Sequence, residues 1–214
     1  MSWTDAKRIM GDQRVLLGPQ ASYQWLHDPK HLLCVLARYK HAARLLGPYA
    51  TVLEVGCGEG IGARILGHRY TGIDPDARAL DVAAEHVPAA ELWALDLVGF
   101  SARAPDPFDG VVALDVIEHL ALPDVHVFLQ SIAALLVEGG ACVIGTPNAT
   151  AAAYQSAASQ AGHVTLFDAE RLGALLGLWF RHTQVFGMND EVLHTGFLPM
   201  AHYLMAVGIG PKHG

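Results

Sequence analysis

The stretch TVLEVGCGEGIG at Thr51–Gly62 decides the fold of this chain. It begins as an apolar, β-branched run, which is typical of a buried parallel strand. It continues with four glycines on alternate positions, which permit a tight turn and the close approach of a ligand. The dinucleotide pattern G-x-G-x-x-G is not matched, because its third glycine would fall on Ile61. Glu54 suits a ligand with an ammonium or sulfonium centre better than a pyrophosphate, which a carboxylate would repel.

Two further acidic residues follow short apolar runs. Asp74, in YTGIDPD, comes twenty residues after Glu54 and is placed to hydrogen-bond a ribose diol. Asp96, in LWALDL, follows another strand candidate. Because ligands in open parallel sheets bind beyond the carboxyl ends of the strands, the sequence predicts a nucleotide-like ligand at this edge.

Together these motifs resemble those of the class I S-adenosylmethionine-dependent methyltransferases. The matching residues are E-V-G-C-G-E-G at 54–60, G-I-D-P at 72–75, A-L-D-L at 94–97 and F-D-G-V-V-A-L-D-V-I-E-H at 108–119. The resemblance covers roughly residues 35–185 and implies a doubly wound, Rossmann-like α/β fold that binds S-adenosylmethionine. It implies that Glu54 and the backbone of 56–60 hold the methionine part, Asp74 the ribose and Asp96 the adenine. The full set of implied cofactor residues is Glu54, Gly56, Cys57, Gly58, Asp74, Pro75, Asp96 and Leu97.

Alternating strand and helix patterns support this fold class. Strands are expected at 51–55, 69–73, 91–95, 108–114 and 140–145, with helices at 60–66, 76–86 and 123–137 between them. Such alternation implies parallel pairing with right-handed crossovers. Strands at 179–188 and 200–207 would complete a seven-stranded, mostly parallel sheet with the last strand antiparallel, as the resemblance implies. The glycines of Leu136–Gly140 are expected to end the helix before them.

The chain is predicted to divide into an N-terminal extension, residues 1–48, and a methyltransferase domain, residues 49–214, that forms a single globular unit. Residues 1–30 have an irregular pattern and are expected to cover the cofactor mouth as a lid. A helix is predicted from His31 to Leu46. Arg38 on this helix could touch the cofactor carboxylate, although a solvated helical face is the simpler interpretation.

The sequence D-V-I-E-H at 115–119 lies where the fourth strand passes into its helix. In a helical turn Asp115, Glu118 and His119 share one face and can converge on one point. Two oxygen donors and an imidazole suit Mg²⁺ or Mn²⁺. The simpler interpretation is that His119 packs beneath the cofactor and Glu118 forms local hydrogen bonds.

His163, in GHVTLFDAERL after the T-P-N turn at 146–148, extends this constellation. The arrangement resembles the metal-dependent 2′-O-methyltransferases that modify small-RNA 3′ ends and, more loosely, the ubiquinone-pathway O-methyltransferases. The RNA enzymes bind a divalent ion through an acid, a Glu-His pair and a later His. The ligands that this resemblance implies here are Asp115, Glu118, His119 and His163, with Asp in place of the family's Glu at the first position.

The chemistry favoured by these residues is O-methylation of a small hydroxylated metabolite, such as a sugar, a nucleotide-linked sugar or a phenol. A hydroxyl is a poor nucleophile, so it needs either a divalent ion to lower its pKa or a base to remove its proton. Without an ion, His119 or His163 would be the catalytic base. N-methylation of a small amine, 2′-O-methylation of an RNA 3′ end and a non-catalytic cofactor-binding role remain as alternatives.

Composition restricts the partners and the compartment. The 14 basic and 21 acidic residues give a net charge of −7, which disfavours a nucleic-acid partner and favours a small-molecule substrate. The three cysteines are widely spaced, as in reduced cytoplasmic proteins. We expect a soluble protein without a membrane partner, because neither a signal peptide nor an apolar membrane-spanning run is found. Aromatic residues near the N-terminus and the apolar C-terminal strand could support a homodimer.

Overall fold

A single eight-stranded sheet forms the centre of the computed structural model, which describes residues 2–12, 14–47, 51–67, 69–154 and 162–213. The strand order is β3-β2-β1-β4-β5-β8-β6-β7. The strands are β1 (Val52–Val55), β2 (Tyr70–Ile73), β3 (Glu91–Trp93), β4 (Phe108–Leu114), β5 (Leu136–Pro147), β6 (Phe180–Met188), β7 (Leu193–His194) and β8 (Tyr203–Pro211). The first five strands pair in parallel, whereas β8 is antiparallel to both β5 and β6, and β7 is antiparallel to β6.

Eight α-helices accompany these strands in the described ranges. They are α1 (Trp3–Met10), α2 (Pro19–His27), α3 (Pro29–Leu46), α4 (Ala63–Leu66), α5 (Ala77–His86), α6 (Leu97–Ser101), α7 (Leu122–Ala134) and α8 (Ala169–Trp179). Short 3₁₀ helices occur at Ile117–His119, Ala149–Tyr154 and Leu198–Met200. Within the described part of the chain, no helix has the length and apolar character needed to cross a membrane.

The core lies on both faces of the sheet, because successive residues of its buried strands point to opposite sides. In β4, Val111 packs into a cluster that includes residues of α6, α7 and α8, whereas Val112 packs into a cluster that includes residues of α3. Both valines are fully buried. The prediction of a doubly wound α/β fold with a mostly parallel sheet is therefore confirmed.

The predicted count of seven strands is too low by one. The additional strand, β7, contains only Leu193 and His194, which pair with Met188 and Gly187 at the end of β6. Two residues are too few to show the alternating pattern by which a strand is predicted from sequence.

The expected helix end at Leu136–Gly140 is wrong, because these residues begin β5. Leu136 pairs with Phe108, and the ladder then shifts register before Gly110 pairs with Ala141. Gly140 lies at this irregularity, where a Cβ atom would come within 3.0 Å of the Val137 carbonyl oxygen. Gly140 therefore permits the bulge in β5 and does not cap a helix.

The N-terminal extension is more regular than its sequence pattern predicts, since it contains α1 and α2 as well as the expected helix α3. The predicted boundary between extension and domain, at 48 and 49, lies outside the described residues. The alanine-rich segment at 149–162 begins with a 3₁₀ helix at Ala149–Tyr154, and its residues 155–161 also lie outside the described residues.

Candidate active site

The glycine loop after β1 is held by hydrogen bonds that its amides donate to the end of β2 and to the residue that follows this strand. The Gly56 N–H donates to the carbonyl of Ile73 at 2.8 Å, and the Gly58 N–H donates to Asp74 Oδ2 at 2.9 Å. Gly56 has a φ of 73°, and a Cβ atom there would lie 2.5 Å from a methyl group of Val116. A Cβ atom on Gly58 would instead meet nothing within 4 Å. The loop is therefore tightly packed at Gly56 and open at Gly58.

Two adjoining cavities meet at this loop. The first cavity, of about 590 Å³, lies between the loop and the ends of β2, β3 and β4, and its lining includes Asp74, Asp96 and Phe128. The second cavity, of about 520 Å³, lies between the loop, α2 and α3. The cavities share four lining residues, which are Gly56, Asp74, Asp115 and His119. One ligand could therefore extend through both cavities.

Most of the residues predicted to bind the cofactor line these cavities. The first cavity is lined by Gly56, Asp74, Pro75, Asp96 and Leu97, and the second by Gly56, Cys57, Gly58 and Asp74. Asp74 and Asp96 also serve the fold: Asp74 Oδ1 accepts the Asp76 N–H, and Asp96 Oδ1 accepts the Gly99 N–H at the start of α6. A carboxylate has about four acceptor sites, so both acids can still accept hydrogen bonds from a ligand.

Glu54 is the predicted cofactor residue that lines neither cavity. It is buried on β1 beneath the loop, and its Oε2 accepts a hydrogen bond from the Tyr70 hydroxyl at 2.5 Å. Burial raises the pKa of Glu54 to about 7, against the opposing effect of the hydrogen bond from Tyr70. In this structure Glu54 thus supports the loop from below.

Glu118, His119 and His163 converge at the wall of the second cavity. Each offers one ligand atom, and these atoms lie within 4.8 Å of one another. The His119 ring lies 5.4 Å from that of His163, and its Nδ1–H donates to the Gly162 carbonyl at 2.8 Å, so its Nε2 is the nitrogen left to bind an ion.

The free acceptor atom of Glu118 and the lowered pKa of His163 fit a cation, whereas the raised pKa of Glu118 favours its protonated form when no cation is bound. Glu118 Oε2 accepts a hydrogen bond from Thr146 at 3.0 Å, whereas its buried Oε1 has no partner among the residues described. Burial, followed by the charge of Asp115, raises the pKa of Glu118 above its ordinary value. Burial and the neighbouring His119 lower the pKa of His163, which favours the neutral imidazole that a metal requires.

Asp115 is not part of this group, although the sequence places it among the metal ligands. Its Oδ2 forms an ion pair with the Arg38 guanidinium at 2.9 Å. Its φ of 56° is in the left-handed region, which is uncommon for a residue other than glycine and is found often at functional sites. Asp115 lines both cavities, so it lies beside the convergent group without joining it.

Several lining residues lie outside the site predicted from the sequence, and one of them, Arg38, was considered only as a possible contact of the cofactor carboxylate. Arg38 lies in the second cavity, with its guanidinium 3.8 Å from the centre of the Tyr203 ring, and is not a solvated helical residue. His31, Gln20 and Gln24 line the same cavity, although His31 has no recognisable ligand spacing. The only sequence signal for Arg38 was its position on the helix before β1.

A family model described as a methyltransferase domain matches residues 25–177. Among curated proteins, the ubiquinone biosynthesis O-methyltransferase of Xanthomonas campestris pv. campestris (strain B100) is 31% identical to this chain over 147 residues. This alignment covers 64% of the chain and 59% of the relative, so the chain matches less than two thirds of the relative's length.

Solved methyltransferase structures have similar folds. The N-methyltransferase NodS from Bradyrhizobium japonicum WM9, in complex with S-adenosyl-L-homocysteine, has a TM-score of 0.62 and 22% identity, with coverage of 82% of this chain and 86% of NodS. A SAM-dependent methyltransferase from Archaeoglobus fulgidus has a TM-score of 0.69 and 17% identity, with coverage of 87% and 99%. At these identities the similarity concerns the fold.

Proposed function

Because the chain belongs to the methyltransferase family whose domain model matches residues 25–177, we propose that it transfers a methyl group from S-adenosylmethionine to an oxygen atom of a small hydroxylated metabolite. The observation that carries this proposal is the pair of cavities joined at Gly56 and Asp74. A ligand that consists of a nucleoside and an amino acid needs two such compartments.

The lining of each cavity supports this placement of the cofactor. The adenosine part is assigned to the first cavity, where apolar side chains such as Phe128 surround Asp74 and Asp96. The amino-acid part is assigned to the second cavity, where the Gly58 backbone is open and the Arg38 guanidinium, which binds Asp115 through Nη1, has further N–H donors for its carboxylate. The reactive sulfonium would then lie near the residues that both cavities share, which include Asp115 and His119.

Methyl transfer requires alignment and removal of a proton. The acceptor oxygen attacks the methyl carbon in line with the carbon–sulfur bond, which breaks to leave a neutral thioether. Without a bound ion, the hydroxyl proton passes to an imidazole, for which His119 and His163 at the wall of the second cavity are the candidates. The lowered pKa of His163 supports this role, because a neutral imidazole is the form that can accept a proton.

A divalent ion, Mg²⁺ or Mn²⁺, fits the group formed by Glu118, His119 and His163. The unpartnered Glu118 Oε1 and the orientation of His119 support this assignment, and two imidazoles favour Mn²⁺ over Mg²⁺. When bound, such an ion would lower the pKa of an acceptor hydroxyl. Asp115 is left out of this ligand set because Arg38 already neutralises its carboxylate.

The choice of oxygen as acceptor atom draws on the curated relatives and on the site. The relatives are named as O-methyltransferases of ubiquinone biosynthesis, which supports an oxygen atom as the acceptor. The convergent imidazoles and carboxylate provide the help that a hydroxyl needs and an amine does not. The net charge of −7 weighs against an RNA substrate.

The test is methyl transfer from isotopically labelled S-adenosylmethionine to catechol and to a matched aromatic amine, with and without a chelator. We expect a product methylated on oxygen, a loss of rate on chelation and recovery with Mn²⁺. His163→Ala should lower the rate at least tenfold, whereas His182→Ala, at an exposed position on β6, should not change it. Transfer to the amine alone, insensitive to chelator and to His163→Ala, would contradict the proposal.

A further inference from the structure

Helix α2 receives its N-terminal cap from a distant residue in the glycine loop. The N-cap position is Gly18, which has no side chain with which to cap the helix. Instead, the Gln20 N–H donates to Glu59 Oε1 at 2.9 Å and the Ala21 N–H donates to Glu59 Oε2 at 3.3 Å. The first amides of a helix lack partners within the helix, so a carboxylate that accepts two of them stabilises its start.

The glycine at position 18 makes room for this contact. A Cβ atom on Gly18 would overlap the carboxyl group of Glu59. The φ of Gly18 is −64°, a value that any residue adopts, so backbone conformation gives no reason for glycine here. The close approach of Glu59 does give such a reason.

Most side chains of α2 are exposed, although the helix contacts α3. Ala21 is its one buried residue, and Tyr23, Trp25 and Leu26 are all exposed. Yet α2 supplies Gln20, Ala21 and Gln24 to the second cavity, whose lining also includes the loop that carries Glu59. The Glu59 carboxylate therefore joins two walls of one cavity.

We propose that Glu59 is a positioning residue that couples the docking of α2 to cofactor binding. A ligand that contacts both the loop and α2 favours the docked arrangement, and by linkage the docked arrangement favours the ligand. Glu59 raises the population of that arrangement without touching the reacting atoms. This inference rests on the proposed function, because it takes the ligand to be S-adenosylmethionine or its product.

The experiment compares wild-type protein, Glu59→Ala, Gly18→Ala and the double variant. S-adenosylhomocysteine is titrated into each full-length protein by calorimetry, and amide hydrogen exchange of residues 19–27 is followed with and without this ligand. Gly18→Ala is expected to displace the carboxylate from the side of α2 without any change in the sequence of the glycine loop, so it separates loss of the cap from a substitution in the loop. Glu138→Gln, at an exposed site on β5, is the matched control for the change in charge.

In wild-type protein the ligand should slow exchange across α2. Both single variants should accelerate exchange without ligand and weaken ligand affinity about threefold to thirtyfold, the range expected for loss of a helix cap. The double variant should bind the ligand no more weakly than the weaker-binding single variant, since both changes remove the same contact. Glu138→Gln should match the wild type.

The proposal would be overturned if both single variants had the exchange rates in α2 and the ligand affinity of the wild-type protein. Additive losses in the double variant would also overturn it, because they would show that the two residues act separately. Wild-type protein that does not bind S-adenosylhomocysteine overturns the proposed function, whereas the ligand-free exchange rates of the variants still decide whether Glu59 caps α2.

Discussion

At the scale of single residues, Gly56 shows most directly how the loop depends on its sequence. Its φ of 73° and the 2.5 Å approach of a Cβ atom to Val116 leave no room for a side chain. We expect Gly56→Ala to lower the free energy of unfolding by about 2–3 kcal/mol, through backbone strain and the clash with Val116. Urea denaturation of the two proteins measures this difference.

Gly177→Ala is the matched control for that substitution. Gly177 lies in α8, and a Cβ atom there meets nothing within 4 Å. Alanine is the better helix former, so this variant should be more stable by about 0.5 kcal/mol. Equal effects of the two substitutions would contradict the packing described for Gly56.

Glu54 makes the stability of the ligand-free protein depend on pH. Its pKa is about 7 in the folded chain against an ordinary value of 4.5, so the folded state keeps a proton that the unfolded state loses. The stability from this group is therefore fully present below pH 4.5 and is lost as the pH rises through 7. Since one unit of pKa difference corresponds to about 1.4 kcal/mol, the loss should approach about 3 kcal/mol above pH 7.

Glu54→Gln isolates this contribution, because glutamine keeps the shape of the side chain and cannot ionise. Unfolding by urea at a series of pH values between 4 and 8 should show a smaller decline of stability in the variant than in the wild type. Parallel pH profiles would mean that the folded-state pKa of Glu54 is not raised.

Residues that follow apolar strands could be located from the sequence, whereas partners from other segments could not. Asp74 and Asp96 reach the first cavity because parallel strands bring their carboxyl ends to one edge. Arg38 meets Asp115 across 77 positions of the chain, and no local pattern specifies such a pair. Asp115 pairs with Arg38 and lies outside the convergent group, an arrangement that the local sequence pattern does not specify either.

At the scale of secondary-structure elements, Asn148 ties the end of β5 to the segment before β8. It is buried, and its side-chain NH₂ donates to the carbonyls of Leu198 and Ala201 at 3.0 and 2.7 Å. Asn148→Ala leaves these carbonyls without that donor, so we expect a loss of about 2–3 kcal/mol in the free energy of unfolding. Thermal and urea denaturation measure it.

Asn189→Ala tests the same kind of contact at the surface. Asn189 is exposed, and its Oδ1 accepts the His202 N–H at 2.8 Å. Water can replace this bond, so the loss should stay below about 1 kcal/mol. A cost for Asn189→Ala as large as that for Asn148→Ala would argue against burial as the cause.

Elements with long apolar runs were predicted well, and short or capped elements were not. The sequence indicates β4 and α3 clearly, since each buries a continuous strand or a helical stripe. Helix α6 has only five residues, and its N-cap Asp96 was interpreted only as a cofactor ligand. Short elements depend on tertiary contacts that a local pattern does not contain.

At the scale of the whole molecule, the parallel sheet brings the motifs to one edge and the N-terminal helices close the second cavity. A third cavity, of about 550 Å³ near Thr51 and Phe108, lies at the opposite ends of the strands and is lined by none of the predicted site residues. Cys34, Cys57 and Cys142 form no disulfide in the described residues, and Cys57 and Cys142 are buried. The predicted site residues that line cavities therefore lie at one edge of the sheet, away from the third cavity.

Calorimetric titration of S-adenosylhomocysteine into chelator-treated protein shows whether the joined cavities hold S-adenosylmethionine. We expect one ligand to bind per chain. We also expect at least tenfold weaker binding by Gly58→Ala, whose methyl group would occupy the open space above the loop. Wild-type protein that binds no S-adenosylhomocysteine, or a folded Gly58→Ala variant that binds it as tightly as the wild type, would show that the ligand does not lie in these cavities.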